Sequence, residues 1–202
     1  MHEAGHAVAA LACGLDIIRI ALPSGTDDLG RDDARGITEL DSSSLFRMLF
    51  DLADPTVPIA ASVLKYLVFA TAGDAAEGRR TRRTTGPDAE LTLKWGQRIV
   101  PTCVVTSLAY RQFQRAAEFC IERQDQIVAI ADALLARANA TPQQPQLSGL
   151  DIGEIIPDIA PMMTSTEDEV VEKLISVACQ LAWPQEISAS LTKRFRQPPV
   201  SG

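Results

Sequence analysis

His2-Glu3-Ala4-Gly5-His6, followed by the apolar run Ala7 to Cys13, is the segment that most restricts this chain. Rich in alanine and free of proline, it reads as a helix from Met1 to Cys13. Gly14 closes it, since glycine takes up the left-handed cap conformation without steric penalty. Side chains four apart lie on one face of a helix, so His2 and His6 point the same way one turn apart. Two imidazoles at that spacing can reach a single Zn²⁺ at about 2.0–2.1 Å. Glu3 sits beside them, close enough to act on a metal-bound water without being a ligand. Zinc brings the pKa of such a water to about 7, and Glu3 is the base that takes its proton and passes it to a departing amine. The plain alternative is a chance pair on an amphipathic helix, because bare H-E-x-x-H matches recur by accident. Against chance stands the fact that these are the only two histidines among 202 residues. The same scarcity requires any third protein ligand to be Asp, Glu or Cys.

A chain of this length builds one full hydrophobic core and is short for two. Apolar residues make up 46% and aromatics only 5%, with Ala and Leu dominant, which favours helices over sheets. With 26 acidic against 19 basic side chains, the formal charge of −7 repels phosphate backbones and anionic membrane surfaces. No nucleic-acid or membrane partner is expected. Cys13, Cys103, Cys120 and Cys179 form no C-x-x-C pair and read as buried thiols in a reducing compartment. No basic region precedes the apolar run ending at Cys13, so it does not read as a leader. The most apolar later stretch, Val57 to Ala72, contains Pro58 and Lys65 and is too short to span a bilayer. The expectation is a soluble, cytoplasmic protein.

Further along, Ile17 to Leu22 and Gly36 to Leu40 read as short extended pieces that pair as a small hairpin or ribbon across the polar loop Pro23 to Arg35. Ser42-Ser43-Ser44 offers caps for a helix from Leu45 to Ala53. From Pro58 to Glu77, Ala60, Val63, Leu64, Leu67, Val68 and Thr71 recur at helical spacing, and Gly78 stops the run. Arg79-Arg80-Thr81-Arg82-Arg83 reads as a solvated basic loop in preference to an anion site. Thr85-Gly86-Pro87-Asp88 is a helix start, with Asp88 available as a cap. Helices are expected near Ala89 to Val100, Val104 to Arg123 and Ile127 to Ala138, then a Pro/Gln loop over Thr141 to Gly149. Thr166, with Glu169 as capping-box partner, begins a last helix to about Ala182, and the tail past Pro198-Pro199 is expected to fray.

These segments, in order, resemble the peptidase domain of the FtsH-type, ATP-dependent zinc metalloproteases. His2-Glu3-Ala4-Gly5-His6-Ala7 is similar to that family's zinc motif residue for residue. Tyr66 to Glu77, ending Ala72-Gly73-Asp74-Ala75-Ala76-Glu77, resembles its glycine-containing helix, with Asp74 where a basic residue is usual. Thr84-Thr85-Gly86 through Ile99-Val100 is similar to the segment that supplies the acidic metal ligand, and Arg123 to Ile156 to the closing helices. The likeness covers residues 1 to 156, leaving 157–202 as a C-terminal helical extension and tail. It implies a mainly α, FtsH-like fold with a small β ribbon, one Zn²⁺, and hydrolysis of a peptide or unfolded protein with Glu3 as base. It also implies that Gly36 to Leu40 holds substrate as an added strand. The family's ATPase module and membrane anchor have no counterpart here, so unfolding power comes from a separate ATPase or regulatory partner, or is not needed. The family's zinc helix has turns before its first histidine, whereas only Met1 precedes His2. A ligand in a frayed first turn is poorly held, unless the natural start lies earlier or a partner supports it. That feature favours a second reading, a non-catalytic binding or adaptor module with weak or no metal; an intact Glu3 opposes it.

Four acids follow as candidates for the third ligand: Asp74, Glu77, Asp88 and Glu90. Alignment on Thr85-Gly86 without a gap puts Glu90 at the family's ligand position, but sends Lys94, Gln97 and Arg98 to a face that is apolar in the family. Asp88 at that position sends Ala89, Thr92, Trp95, Gly96, Ile99 and Val100 there instead, at the cost of a two-residue loop deletion. Loops absorb deletions more readily than helix faces absorb buried charge, so Asp88 is preferred to Glu90, with Glu77 third.

Overall fold

The computed structural model describes residues 1–22, 36–50, 59–78, 87–100, 102–142 and 145–162, together with Lys173. The described residues are mainly helical with one small antiparallel sheet. Helix α1 (His2–Ala12) is buried almost all round, with Ala4, Ala7, Val8, Ala9 and Ala10 at most 1% exposed. Apart from His2, Glu3 and His6, its side chains are small and apolar, and such a helix belongs inside a core. Its end is a Schellman turn: Gly14 has φ +76°, Gly14 N–H donates to Leu11 O at 2.9 Å and Leu15 N–H to Ala10 O at 2.9 Å.

Strands β1 (Ile17–Ala21) and β2 (Ile37–Leu40) pair antiparallel, Ile20 opposite Thr38, as the sequence leads one to expect. The Pro/Gln loop needs correcting, because it contains a third strand. Gln146–Ser148, β3, adds to the other side of β1 with Ile20 opposite Leu147, giving the order β2-β1-β3. The two-stranded ribbon is therefore a three-stranded sheet with β2 on an edge. Ile20 and Leu147, at 0% and 3% exposure, carry its inner face into the core.

Helix α2 (Ser42–Leu49) is capped by Asp41 and not by the serines: its carboxylate accepts from Ser43 N at 3.3 Å and Ser44 N at 3.1 Å. An ionised acceptor serves the orphan N–H groups of a first turn better than a hydroxyl. Helix α3 (Ala60–Ala76) packs on α1, and Val63, Leu64, Leu67 and Val68 are fully buried. Each such side chain contributes about 1.5–3 kcal/mol of transfer free energy. Helices α4 (Pro87–Gly96) and α5 (Thr102–Glu122) pack on α3, and α6 (Gln124–Ala140) returns to α1 after a break at Arg123. Helix α7 (Gly149–Ile155) starts with a capping box, Asp151 N–H donating to Ser148 Oγ at 3.2 Å and Ser148 N–H to Asp151 Oδ2 at 2.8 Å. Beyond it, Met162 N–H donates to Ala12 O at 2.7 Å, so the described start of the 157–202 extension is tied to α1.

Pro23 to Arg35, Ala53, Pro58, Arg79 to Arg83, Thr84-Thr85-Gly86 and Cys179 lie outside the described residues, as does the tail. So does the Thr166 helix apart from Lys173, which is helical. Cys13 and Cys120 are free thiols whose pKa values burial pushes up to about 12 and about 11. Among the described residues no helix is long and apolar enough to cross a membrane.

Candidate metal centre

Helix α1 brings His2 and His6 to one side, and α3 and α4 close around them. His6, 5% exposed, has Nδ1 2.8 Å from Phe69 O, so Nδ1–H donates to that carbonyl and Nε2 is left with its lone pair. This is the backbone contact that fixes ring orientation and tautomer in metal-binding imidazoles. His2 Nε2 lies 3.2 Å from His6 Nε2. Asp88 Oδ2, from the first turn of α4, lies 3.2 Å from His2 Nε2 and 3.5 Å from His6 Nε2. Ligands of a tetrahedral ion with bonds of about 2.0–2.1 Å stand about 3.3–3.4 Å from one another. The three atoms thus outline one face of a tetrahedron of the size zinc requires. Two nitrogens and one carboxylate oxygen are also a donor set that zinc accepts. The group is open on one side, with the His2 and Asp88 side chains 25% and 29% exposed.

Space for the rings comes from Gly73. A Cβ there would stand 2.3 Å from His6 Nε2 and 2.7 Å from His2 Nε2, so any side chain at this position displaces the imidazoles. Two glycines let the two helices come this close: a Cβ on Gly5 would lie 2.7 Å from Ala72 O.

The acidic candidates separate cleanly. Asp74 Oδ1 and Glu77 Oε2 face the other nitrogen of His2, at 3.8 and 3.6 Å from Nδ1, and so stand behind the ligand rather than with it. They place negative charge where an outer-shell partner of a ligating histidine belongs. Glu90 is exposed and outside the group, while Asp88 is inside it. On the same helix and just beyond it, Thr92, Gly96, Ile99 and Val100 are buried, Ala89 and Trp95 are half-buried, and Lys94 and Gln97 are exposed. Arg98 stacks over the Trp95 ring at 4.6 Å. That is the face expected when Asp88 holds the ligand position. Asp88 lies within α4, inside the helix instead of capping it.

Charge binds the group together. The Asp88 hydrogen bond, working against burial and helped by the charges of Glu3, Asp88 and Glu77, raises the pKa of His2 above its ordinary value. Burial opposes ionisation of Asp88, yet the close approach of both imidazoles, His2 above all, holds its carboxyl well below the usual range. The proton on His2 and a metal ion compete for the same Nε2 lone pair. Zinc affinity should therefore fall as the pH drops through the raised His2 value, which lies above the 6.5 of a free imidazole, while Asp88 stays ionised. Zinc titrations between about pH 8 and 5.5 check this, and affinity that begins to fall only below the ordinary histidine pKa of about 6.5 would contradict it.

Glu3 follows His2 on α1 and is 7% exposed, close enough for its charge to act on His2. The supports from Gly73 and the Phe69 carbonyl were not visible in the sequence; the one available signal was a glycine inside a mostly apolar helix, at Gly73. Comparison of the chain with protein-family models, curated proteins and solved structures gives no match.

Proposed function

We propose that this chain is a zinc-dependent peptidase of the FtsH-type peptidase kind, with His2, His6 and Asp88 as the metal ligands and Glu3 as the general base. The observation that carries the reading is the convergence of His2 Nε2, His6 Nε2 and Asp88 Oδ2 at 3.2–3.5 Å from helices α1 and α4, beside a buried glutamate. The order of zinc helix, small sheet, glycine-containing helix and acid-bearing helix supports the likeness stated above. Zinc, when bound, supplies a Lewis acid that polarises the peptide carbonyl. Glu3 removes a proton from the attacking water as its oxygen bonds to the carbonyl carbon. The same carboxyl then gives that proton to the nitrogen as the C–N bond breaks. His6 stays in place through its hydrogen bond to Phe69 O, and the exposed side of the group admits the substrate. Strand β2, on the edge of the sheet, supports the idea that an extended peptide pairs there. Its source would be an unfolded protein, delivered by a separate ATPase or regulatory partner.

Unfolded casein tests this. The zinc-loaded protein should cleave it, a chelator should stop cleavage, and added zinc should restore it. Cleavage that persists in the chelator, or none with zinc bound, contradicts the proposal.

A further inference from the structure

Glu3 is a buried carboxylate, and a buried carboxylate must be hydrogen-bonded and held in one orientation to be useful as a base. Thr38 Oγ1 donates to Glu3 Oε2 at 2.7 Å and lies 3.5 Å from the Glu3 carbonyl oxygen. Gly36, two residues earlier, lies directly against the same carboxylate: a Cβ there would stand 2.5 Å from Glu3 Cγ, 2.6 Å from Oε1 and 2.8 Å from Cδ. Thr38 is itself fixed, because it pairs with Ile20, which is fully buried at the centre of the three-stranded sheet. Resting on the reading of Glu3 as base, we propose that Thr38 is a positioning residue, whose hydroxyl holds the Glu3 carboxylate in its working orientation and ties the base to edge strand β2. The strand that would pair with an extended peptide thus also orients the group that hydrolyses it. Substrate register and base geometry are set by one element.

A threonine that only satisfied a buried acceptor would contribute stability and nothing else. Thr38→Val keeps the shape and removes the donor, and Thr38→Ser restores the donor. The zinc-loaded full chain, assayed on casein, should show Thr38→Val with unchanged zinc content and KM and a kcat lower by on the order of tenfold, the worth of one hydrogen bond to a charged group. Thr38→Ser should recover most of that loss. Independently of activity, thermal unfolding of the metal-free protein should show Thr38→Val lowering Tm by a few degrees in the wild-type background and leaving it unchanged in a Glu3→Ala background. Wild-type kcat in Thr38→Val, no recovery in Thr38→Ser, or equal Tm losses in both backgrounds overturns the proposal. If wild type cleaves casein and Thr38→Val matches it, only the role of Thr38 falls. If zinc-loaded wild type cleaves nothing, the peptidase reading falls with it.

Discussion

Glu3→Gln is expected to abolish measurable peptide hydrolysis, a loss of about 10²–10⁴ for a general acid–base group, while the variant keeps its zinc. The substitution leaves both imidazoles and Asp88 Oδ2 untouched, so nothing in the ligand set changes. Glutamine still accepts the Thr38 hydroxyl, as Glu3 Oε2 does at 2.7 Å, so the local packing survives. What disappears is the proton acceptor, together with the negative charge that it sets near His2. Zinc content and casein cleavage, measured on the same preparation, separate the two effects. Cleavage at the wild-type rate removes Glu3 from the mechanism, and loss of zinc shows that Glu3 holds the centre together instead.

The second large effect lies on the ligands. Asp88→Ala should lose most of its zinc, whereas Glu90→Ala, two residues along the same helix, should keep it. Outer-shell partners of metal ligands are worth about 10–100-fold in affinity, so removing a ligand outright should cost at least that much. Asp88 contributes twice, as a donor 3.2 Å from His2 Nε2 and as the negative charge that balances the ion. Its loss also leaves two imidazole nitrogens 3.2 Å apart with nothing between them. Glu90 is exposed and makes no part of the group, so its removal is a surface change. His6→Ala is the companion variant, and it should fail in the same way because one imidazole and one carboxylate do not close a zinc site. The reverse pattern, zinc lost in Glu90→Ala and kept in Asp88→Ala, would place the ligand two residues along α4.

Helix α1 could be read from the chain because its signals agree. Alanine propensity, the four-residue histidine spacing and Gly14 all point to one short helix with one chemically loaded face. The grouping of Asp88 with the histidines was legible only as a preference: through the family resemblance, an apolar face that includes Thr92, Gly96 and Ile99 favoured Asp88 over Glu90 without excluding the latter. Strand β3 was not legible. Gln146-Leu147-Ser148 is too short to show an alternation, and it is a strand only because β1, more than a hundred residues away, offers an edge; Arg19 Nη1 and Gln146 Oε1 meet there at 3.1 Å. The cap of α2 misled for a different reason, since three consecutive serines drew the expected helix start past Asp41, whose carboxylate makes the cap. Gly36 carries no local mark of its purpose, and Gly73 only its place inside a helix. Each is required by an atom of α1 that approaches from another part of the fold. Contacts of that kind are tertiary, and spacing along one chain does not encode them.

Zinc titration of the metal-free wild-type protein at neutral pH tests the central claim most directly. The geometry of His2, His6 and Asp88 predicts saturation at one zinc per chain. No binding, or weak binding that is the same in His6→Ala, would contradict it.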